Sequence, residues 1–432
     1  MPDVLVVGDW HLASVTVAGL TEAGYTVTLR AGCPWEADPA AAQALLAGRR
    51  AAGEPRVAEV MAGAAAAAGI RTAEGADETQ AAAVTTDLIV IAFDSRTTAD
   101  GSMADDRPAR SAEHLLCTVG RTAPVLLTSQ VRAGTCDRTL ATTGAAPESL
   151  VHAPENLRLG RSMADFLRPH RLVLGCAALE LPPAVKELTA RLEPGRVLHT
   201  GLVEAELIKH GTNAYLAACI TLANDIGAVT AWLGGDPQTV LEGVRADERV
   251  AASAPLRPGG PYSGATLQRD VRALWEQGEP VGRDGLFRAI SAANSVHSLA
   301  PLAVLDRRLE GLRGRRICLL GLTYKPDVTT LRDSPARTLA HELSAQGAHV
   351  TAYDPVADQE EIAGLHRHAR LAEAADGADC LVVVAEHRAF THPGFLDAVR
   401  PRRPLLLRLA GTRTDSSVAT PPGWQSIDPW QR

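Results

Sequence analysis

Residues 203–234 carry a helical pattern that no proline interrupts, and a helix of roughly 30 residues runs about 45 Å at 1.5 Å per residue. That exceeds the width of a small domain, so the helix has to link bodies rather than lie inside one. A single-core fold is excluded. The length of 432 residues agrees, because one hydrophobic core stops growing well short of it. The expected division is residues 1–200, a helical middle at 201–300, and residues 301–432.

On both sides of the helix, short apolar runs alternate with helical stretches, as in strand-helix-strand units wound about a parallel sheet. Candidate strands at 4–7, 26–29, 87–93, 124–128 and 172–175 precede the helix, and those at 316–320, 349–353, 380–384 and 404–407 follow it. The expected class is α/β, doubly wound in each half. Alanine is the best helix former, so the alanine-rich stretch 51–68 predicts a helix. The tail beyond Gly411 predicts partly ordered surface, with Trp424 and Trp430 packing onto the second half.

The formal net charge of -7 argues against nucleic acid as a partner, which a basic surface would have to grip. Seven cysteines are scattered without metal-type spacing, and His366 and His368 lack a matching carboxylate pattern, so no metal site is expected. Unpaired cysteines and a strand at residue 4 point to the cytoplasm. No stretch reads as long and apolar enough to cross a bilayer, and no membrane partner is expected. Of the 43 Lys and Arg residues only Lys186, Lys209 and Lys325 are lysines. Where arginine serves every surface charge, a surviving lysine suggests proton transfer or a compact point contact, since guanidinium does not deprotonate.

The first strand runs into Gly8-Asp9-Trp10-His11-Leu12-Ala13 and then an apolar helical pattern. In a dinucleotide-binding turn, glycines let the backbone approach a pyrophosphate and the helix start supplies N–H donors. Gly8 is the one glycine kept; Trp10 stands at the second position and Ala13 at the third. Gly8, Trp10, His11, Leu12 and Ala13 are therefore cofactor candidates, with His11 equally readable as a cap. After the second strand comes Arg30 rather than an acid. Either it meets a 2'-phosphate, which favours NADP over NAD, or the pocket is abandoned. Phe93, which ends the third candidate strand, and Ser129, just after the fourth, complete this set.

Four further segments, in this order and spacing, carry a resemblance: His152-Ala-Pro-Glu155-Asn-Leu-Arg-Leu-Gly160, Lys209-His-Gly-Thr-Asn213, residues 258–270 ending in Arg269-Asp270, and Gly321 through Tyr324-Lys325 to Arg332-Asp333-Ser334-Pro335. Together they resemble the UDP-glucose/GDP-mannose dehydrogenase family over almost the whole chain. The resemblance implies two Rossmann-like domains, an N-terminal dinucleotide-binding one and a C-terminal UDP-binding one, joined by a long central helix about which a homodimer forms. It implies a UDP-hexose substrate, NAD or NADP as cofactor, and an active site between the domains. There a C6 hydroxymethyl is oxidised twice through an aldehyde held on a cysteine. By position, Glu155 is implied as acid-base carboxylate, Lys209 and Asn213 as holders of the reacting oxygen, and Asp270 as completing the proton relay. Tyr262, Tyr324 and Lys325 are implied at the nucleotide sugar, Arg332 at the dinucleotide, and Arg249 at a neighbouring subunit's sugar.

One departure outweighs the rest. Where the family reads Gly-Gly-Ser-Cys-Phe-Pro-Lys-Asp, this chain reads Ser263-Gly-Ala-Thr266-Leu-Gln-Arg-Asp270, so Thr266 stands at the nucleophile's position. A thiol ionises near pKa 8.5 and a hydroxyl several units higher, at about 1.4 kcal/mol per unit. Thr266 should not trap an aldehyde efficiently. The expected activity is thus one two-electron oxidation, C6 alcohol to aldehyde. Parallel changes at Trp10, Arg30 and the Phe93-Asp94-Ser95-Arg96 loop leave a rival, a nucleotide-sugar-binding protein without catalysis.

Overall fold

The computed structural model describes the chain except residues 52–53, 67–68, 99–100, 120–122, 324–325, 327–328, 330, 332–333, 358–361, 363, 393, 398, 400, 402–404, 410–423 and 428–432. It falls into two compact units, Met1–Gly211 and Thr212–Arg432, with the division inside one long helix.

The first unit runs β1 (Asp3–Val7), α1 (His11–Glu22), β2 (Thr26–Arg30), β3 (Gly32–Cys33), β4 (Glu36–Ala37), α2 (Pro39–Leu46), α3 (Pro55–Ala66), β5 (Ile70–Thr72), α4 (Ala76–Thr85) and β6 (Leu88–Ile91). It continues with α5 (Arg107–Val119), β7 (Val125–Leu127), α6 (Thr135–Thr143), β8 (Leu150–His152), α7 (Ser162–Leu167), β9 (Leu172–Cys176), α8 (Pro183–Arg191), β10 (Val197–Thr200) and α9 (Leu202–Trp232). Eight strands form one sheet in the order β10-β9-β8-β7-β6-β1-β2-β5. Side chains alternate across a pleated strand. Val4 and Val6 therefore join α1, α3 and α8 in one core, while Leu5 and Val7 join α5 and α6 in another. Helices on both faces are why these strands read as continuous apolar runs. The all-parallel expectation needs one correction, because β9 pairs with β8 antiparallel. A strand's own residues do not encode its neighbour's direction.

The second unit follows α9 with α10 (Pro237–Arg245), α11 (Ala265–Gly278), α12 (Gly285–Leu309), β11 (Arg316–Leu320), α13 (Pro335–Ala345), β12 (His349–Tyr353), β13 (His366–Arg367), α14 (Leu371–Ala375), β14 (Cys380–Val383), β15 (Leu405–Arg408) and β16 (Gln425–Ile427). Its sheet, β13-β12-β11-β14-β15-β16, is parallel at every pairing. The tail supplies β16, and Trp424 packs on the core of Leu320, Leu381 and Phe390; Trp430 lies outside the described residues.

The bilayer expectation also needs correcting. Among the described residues α9 is long and apolar enough to cross a membrane, its 18-residue window averaging a mean hydropathy of 1.3. Part of that apolar surface has another use: Ala214 and Ala217 pack with Val271 of α11 and Ile290 of α12.

Candidate active site

A doubly wound sheet offers its ligand crevice at the carboxyl ends of the strands, where the order reverses. In the first unit β1 lies between β2 and β6, and the Gly8 turn follows β1. A Cβ on Gly8 would stand 2.2 Å from the Ala92 carbonyl oxygen and 2.9 Å from the Ala13 Cβ. Only glycine fits there, and the buried Ala13 leaves room for it. So close a backbone approach needs glycine in the turn, as a dinucleotide-binding turn does. Trp10 caps α1 without a side-chain hydrogen bond. His11 is buried, its Nε2 3.3 Å from Ser162 Oγ, and Ser162 donates to Glu54 Oε1 at 2.6 Å. The Leu12 amide donates to Asp94 Oδ2 at 2.8 Å.

Three cofactor candidates take other places. Arg30 is 1% exposed, and its guanidinium donates to the carbonyls of Cys33, Pro34, Ala73 and Glu74 at 2.8 to 3.2 Å. It ties two loops together and presents no charge to a 2'-phosphate. Phe93 is buried in the core beneath Arg107, and its amide donates to Ser129 Oγ at 2.7 Å. Ser129 thus fastens the β6 and β7 ends rather than lining a crevice.

Beyond β8, the Glu155 amide donates to the Thr128 carbonyl at 3.3 Å, and the Leu157 amide donates to Glu155 Oε2 at 2.8 Å. Those bonds aim Oε1 at Lys209 Nζ, 3.9 Å away, with side chains 21% and 8% exposed. Lys209 belongs to a polar stripe on the otherwise apolar α9. Glu206, Lys209, His210 and Asn213 are all buried, and their spacing puts them on one helical face. Glu206 accepts from the Gly134 and Cys136 amides, which suits a carboxylate at the start of α6; burial pushes its carboxyl above the ordinary range. His210 Nε2 lies 2.9 Å from the Val131 carbonyl oxygen. Glu206 and His210 were not singled out from the sequence, though their periodicity within an apolar helix was there to read.

In the second unit Asn213 donates from Nδ2 to Asp270 Oδ2, and Arg269 grips the same carboxylate with two bonds. Glu155 thus lies beside Lys209 in the first unit, and Asn213 beside Asp270 in the second. Thr266 is exposed in the first turn of α11, after the positive-φ Gly264. Burial pushes the thiols of Cys33, Cys136 and Cys176 up and holds Cys318 and Cys380 at about 12. Tyr262 is buried, its hydroxyl donating to Gln268 Oε1 at 2.7 Å, and burial raises it to about 12. Arg249 is exposed and forks onto Asp247. Tyr324, Lys325 and Arg332 lie outside the described residues.

At the corresponding crevice of the second sheet, Asp354 accepts from the Leu322, Val356 and Ala357 amides, and His387 Nε2 lies 2.9 Å from its Oδ2. Burial would raise this carboxyl, but the His387 and backbone hydrogen bonds hold it below the usual range. It fastens the loops that follow β11 and β12.

Residues 203–297 match the central domain of the UDP-glucose/GDP-mannose dehydrogenase family, and residues 318–405 match that family's UDP binding domain. A UDP-glucose 6-dehydrogenase of Pseudomonas aeruginosa is 30% identical over 330 residues, 72% of this chain and 73% of that protein. The UDP-glucose 6-dehydrogenase AglM of Haloferax volcanii is 34% identical over 259 residues, 58% of this chain and 60% of that protein. Among solved structures, a UDP-glucose dehydrogenase from Pyrobaculum islandicum superposes with a TM-score of 0.81 at 24% identity, covering 98% of both chains. A UDP-D-ManNAc dehydrogenase from Pyrococcus horikoshii does so with a TM-score of 0.82 at 19% identity, covering 99% of both.

Proposed function

The chain belongs to the UDP-glucose/GDP-mannose dehydrogenase family, and from that premise we propose that it is a nucleotide-sugar oxidoreductase that stops after one two-electron oxidation, C6 alcohol to aldehyde, of a UDP-hexose. The observation that carries this reading is the survival of both proton-handling pairs beside the loss of the nucleophile. Glu155 and Lys209 stay within ion-pair range in a half-buried setting, Asn213 still holds Asp270, and Thr266 stands where a thiol is needed for the second step.

NAD is the cofactor of this family and, when bound, supplies the hydride acceptor. The protein's own residues manage the proton. Glu155 accepts it from the hydroxyl as the carbonyl forms, directly or through one water. Lys209 supports the negative charge building on the oxygen, as a donor beside a developing alkoxide does. Asn213, pinned by Asp270, is the neutral donor to the same oxygen. Without a thiol the aldehyde is not captured and leaves as product.

A homodimer about α9 fits the same reading. Tyr215, Leu222 and Val229, seven residues apart along that helix, are each more than half exposed, and an apolar stripe of that spacing suits a partner helix. The seven free thiols suit a reducing compartment, the cytoplasm.

The test is stoichiometry. With UDP-glucose and excess NAD, one equivalent of NADH per sugar and an aldehyde trapped by hydroxylamine support the proposal; two equivalents and a uronate overturn it. A second reading, a nucleotide-sugar binder without catalysis, is favoured by the carboxylate seated on α1, and NADH formation at any stoichiometry rules it out.

A further inference from the structure

The first amides of α1 have no helical acceptors of their own, and in an anion-binding turn they are where phosphate oxygens sit. One of them is already taken. The Leu12 amide donates to Asp94 Oδ2 at 2.8 Å, across 82 residues of chain. Asp94 is half-buried, and it belongs to the loop after β6, on the other wall of the same crevice.

The charges around the turn work in the same direction. Asp9, inside the turn, is ion-paired with Arg107 and lies 3.6 Å from Arg96. Asp105 holds Arg107 from its other side at 2.7 Å. Asp9 and Asp105 therefore take up the Arg107 guanidinium between them. Arg30 offers no free charge to the turn, because its guanidinium is committed to four carbonyls.

The geometry points to Asp94 as a built-in competitor for the cofactor's pyrophosphate: its carboxylate occupies a phosphate seat on α1, and a dinucleotide binds only by displacing it. The inference rests on the dehydrogenase reading for the identity of the ligand. The backbone cradle at Gly8 is intact, so the barrier is one side chain and its charge, and the unliganded turn is held in shape by an internal anion. Affinity for the dinucleotide is low for that reason.

Isothermal titration of NAD into the full-length protein, Asp94→Ser and Asp94→Asn tests this. Removing a like charge from an anion's seat is worth about a decade or more in affinity, so Asp94→Ser should bind NAD at least about tenfold more tightly. Asp94→Asn should fall between, keeping an acceptor for Leu12 without the charge. Titration with UDP should give the same affinity in all three. Equal or weaker NAD binding in both variants overturns the inference, as does the absence of NAD binding in every protein. If Asp94→Ser does not fold, Asp94→Asn carries the comparison. Tighter NAD binding without UDP-glucose-dependent NADH formation would remove the catalytic reading and leave the role of Asp94 standing; NADH formation with unchanged NAD affinity would do the reverse.

Discussion

Arg269 and Asp270, adjacent in the chain, form a two-bond ion pair inside the protein: Nε to Oδ1 at 2.9 Å and Nη2 to Oδ2 at 3.1 Å, with side chains 5% and 0% exposed. Breaking a buried pair from one side leaves the other charge uncompensated, at about 3–5 kcal/mol. Arg269→Met should therefore lower unfolding stability by that amount in urea, whereas a loss below about 1 kcal/mol would show that the carboxylate does not depend on its neighbour.

Glu155→Gln keeps an oxygen for the Leu157 amide and removes the base. Proton transfer by a positioned group contributes about a hundredfold to ten-thousandfold. The variant should lose that much kcat for NADH formation while its KM for UDP-glucose and its melting temperature stay close to those of the parent. Activity retained within a factor of two would remove Glu155 from the mechanism.

Thr266→Cys places a thiol in the first turn of α11, where a helix start favours the thiolate. Product should shift from aldehyde toward uronate, and NADH per sugar from one equivalent toward two. An unchanged product would mean that more than the nucleophile has been lost.

Arg30→Met leaves the carbonyls of Cys33, Pro34, Ala73 and Glu74 without their charged donor. Hydrogen bonds to a charged group are worth about 1.5–3 kcal/mol, so stability should fall by at least about 2 kcal/mol while the ratio of NAD to NADP affinity holds. A change in that ratio would return Arg30 to the cofactor.

His152 is wholly buried, its ring Nδ1 3.0 Å from the Leu127 carbonyl oxygen, and burial pushes it down to about 3. Its folded value lies below the unfolded one near 6.5, so its contribution is complete above pH 6.5 and is lost as pH falls from there toward 3. The slope is about 1.4 kcal/mol per pH unit. Chemical denaturation between pH 7 and 4 should show it in the parent, and His152→Gln should flatten the curve; equal slopes would contradict the assignment.

Much of this was legible beforehand. The strands around β1 and β11 were readable because burial on both faces leaves an unbroken apolar run. The long helix was readable because nothing in it stops a helix. By contrast β5 (Ile-Arg-Thr), β8 (Leu-Val-His) and the β3-β4 hairpin are short and lack the unbroken apolar run that made β7 readable. The family's motifs marked Glu155, Lys209, Asn213, Thr266 and Asp270 as candidates, but not what holds them.

The amino-acid sequence by itself determined the α/β class, the linking helix and the family, since each is carried by local pattern or by residue identity at a motif position. Only the tertiary structure decided that β9 runs against β8, that Arg30 is locked onto four carbonyls, and that Asp94 sits on the Leu12 amide. Those outcomes depend on which groups meet across tens of residues. A side chain's charge is written in the chain, whereas the partner that neutralises it is chosen by folding.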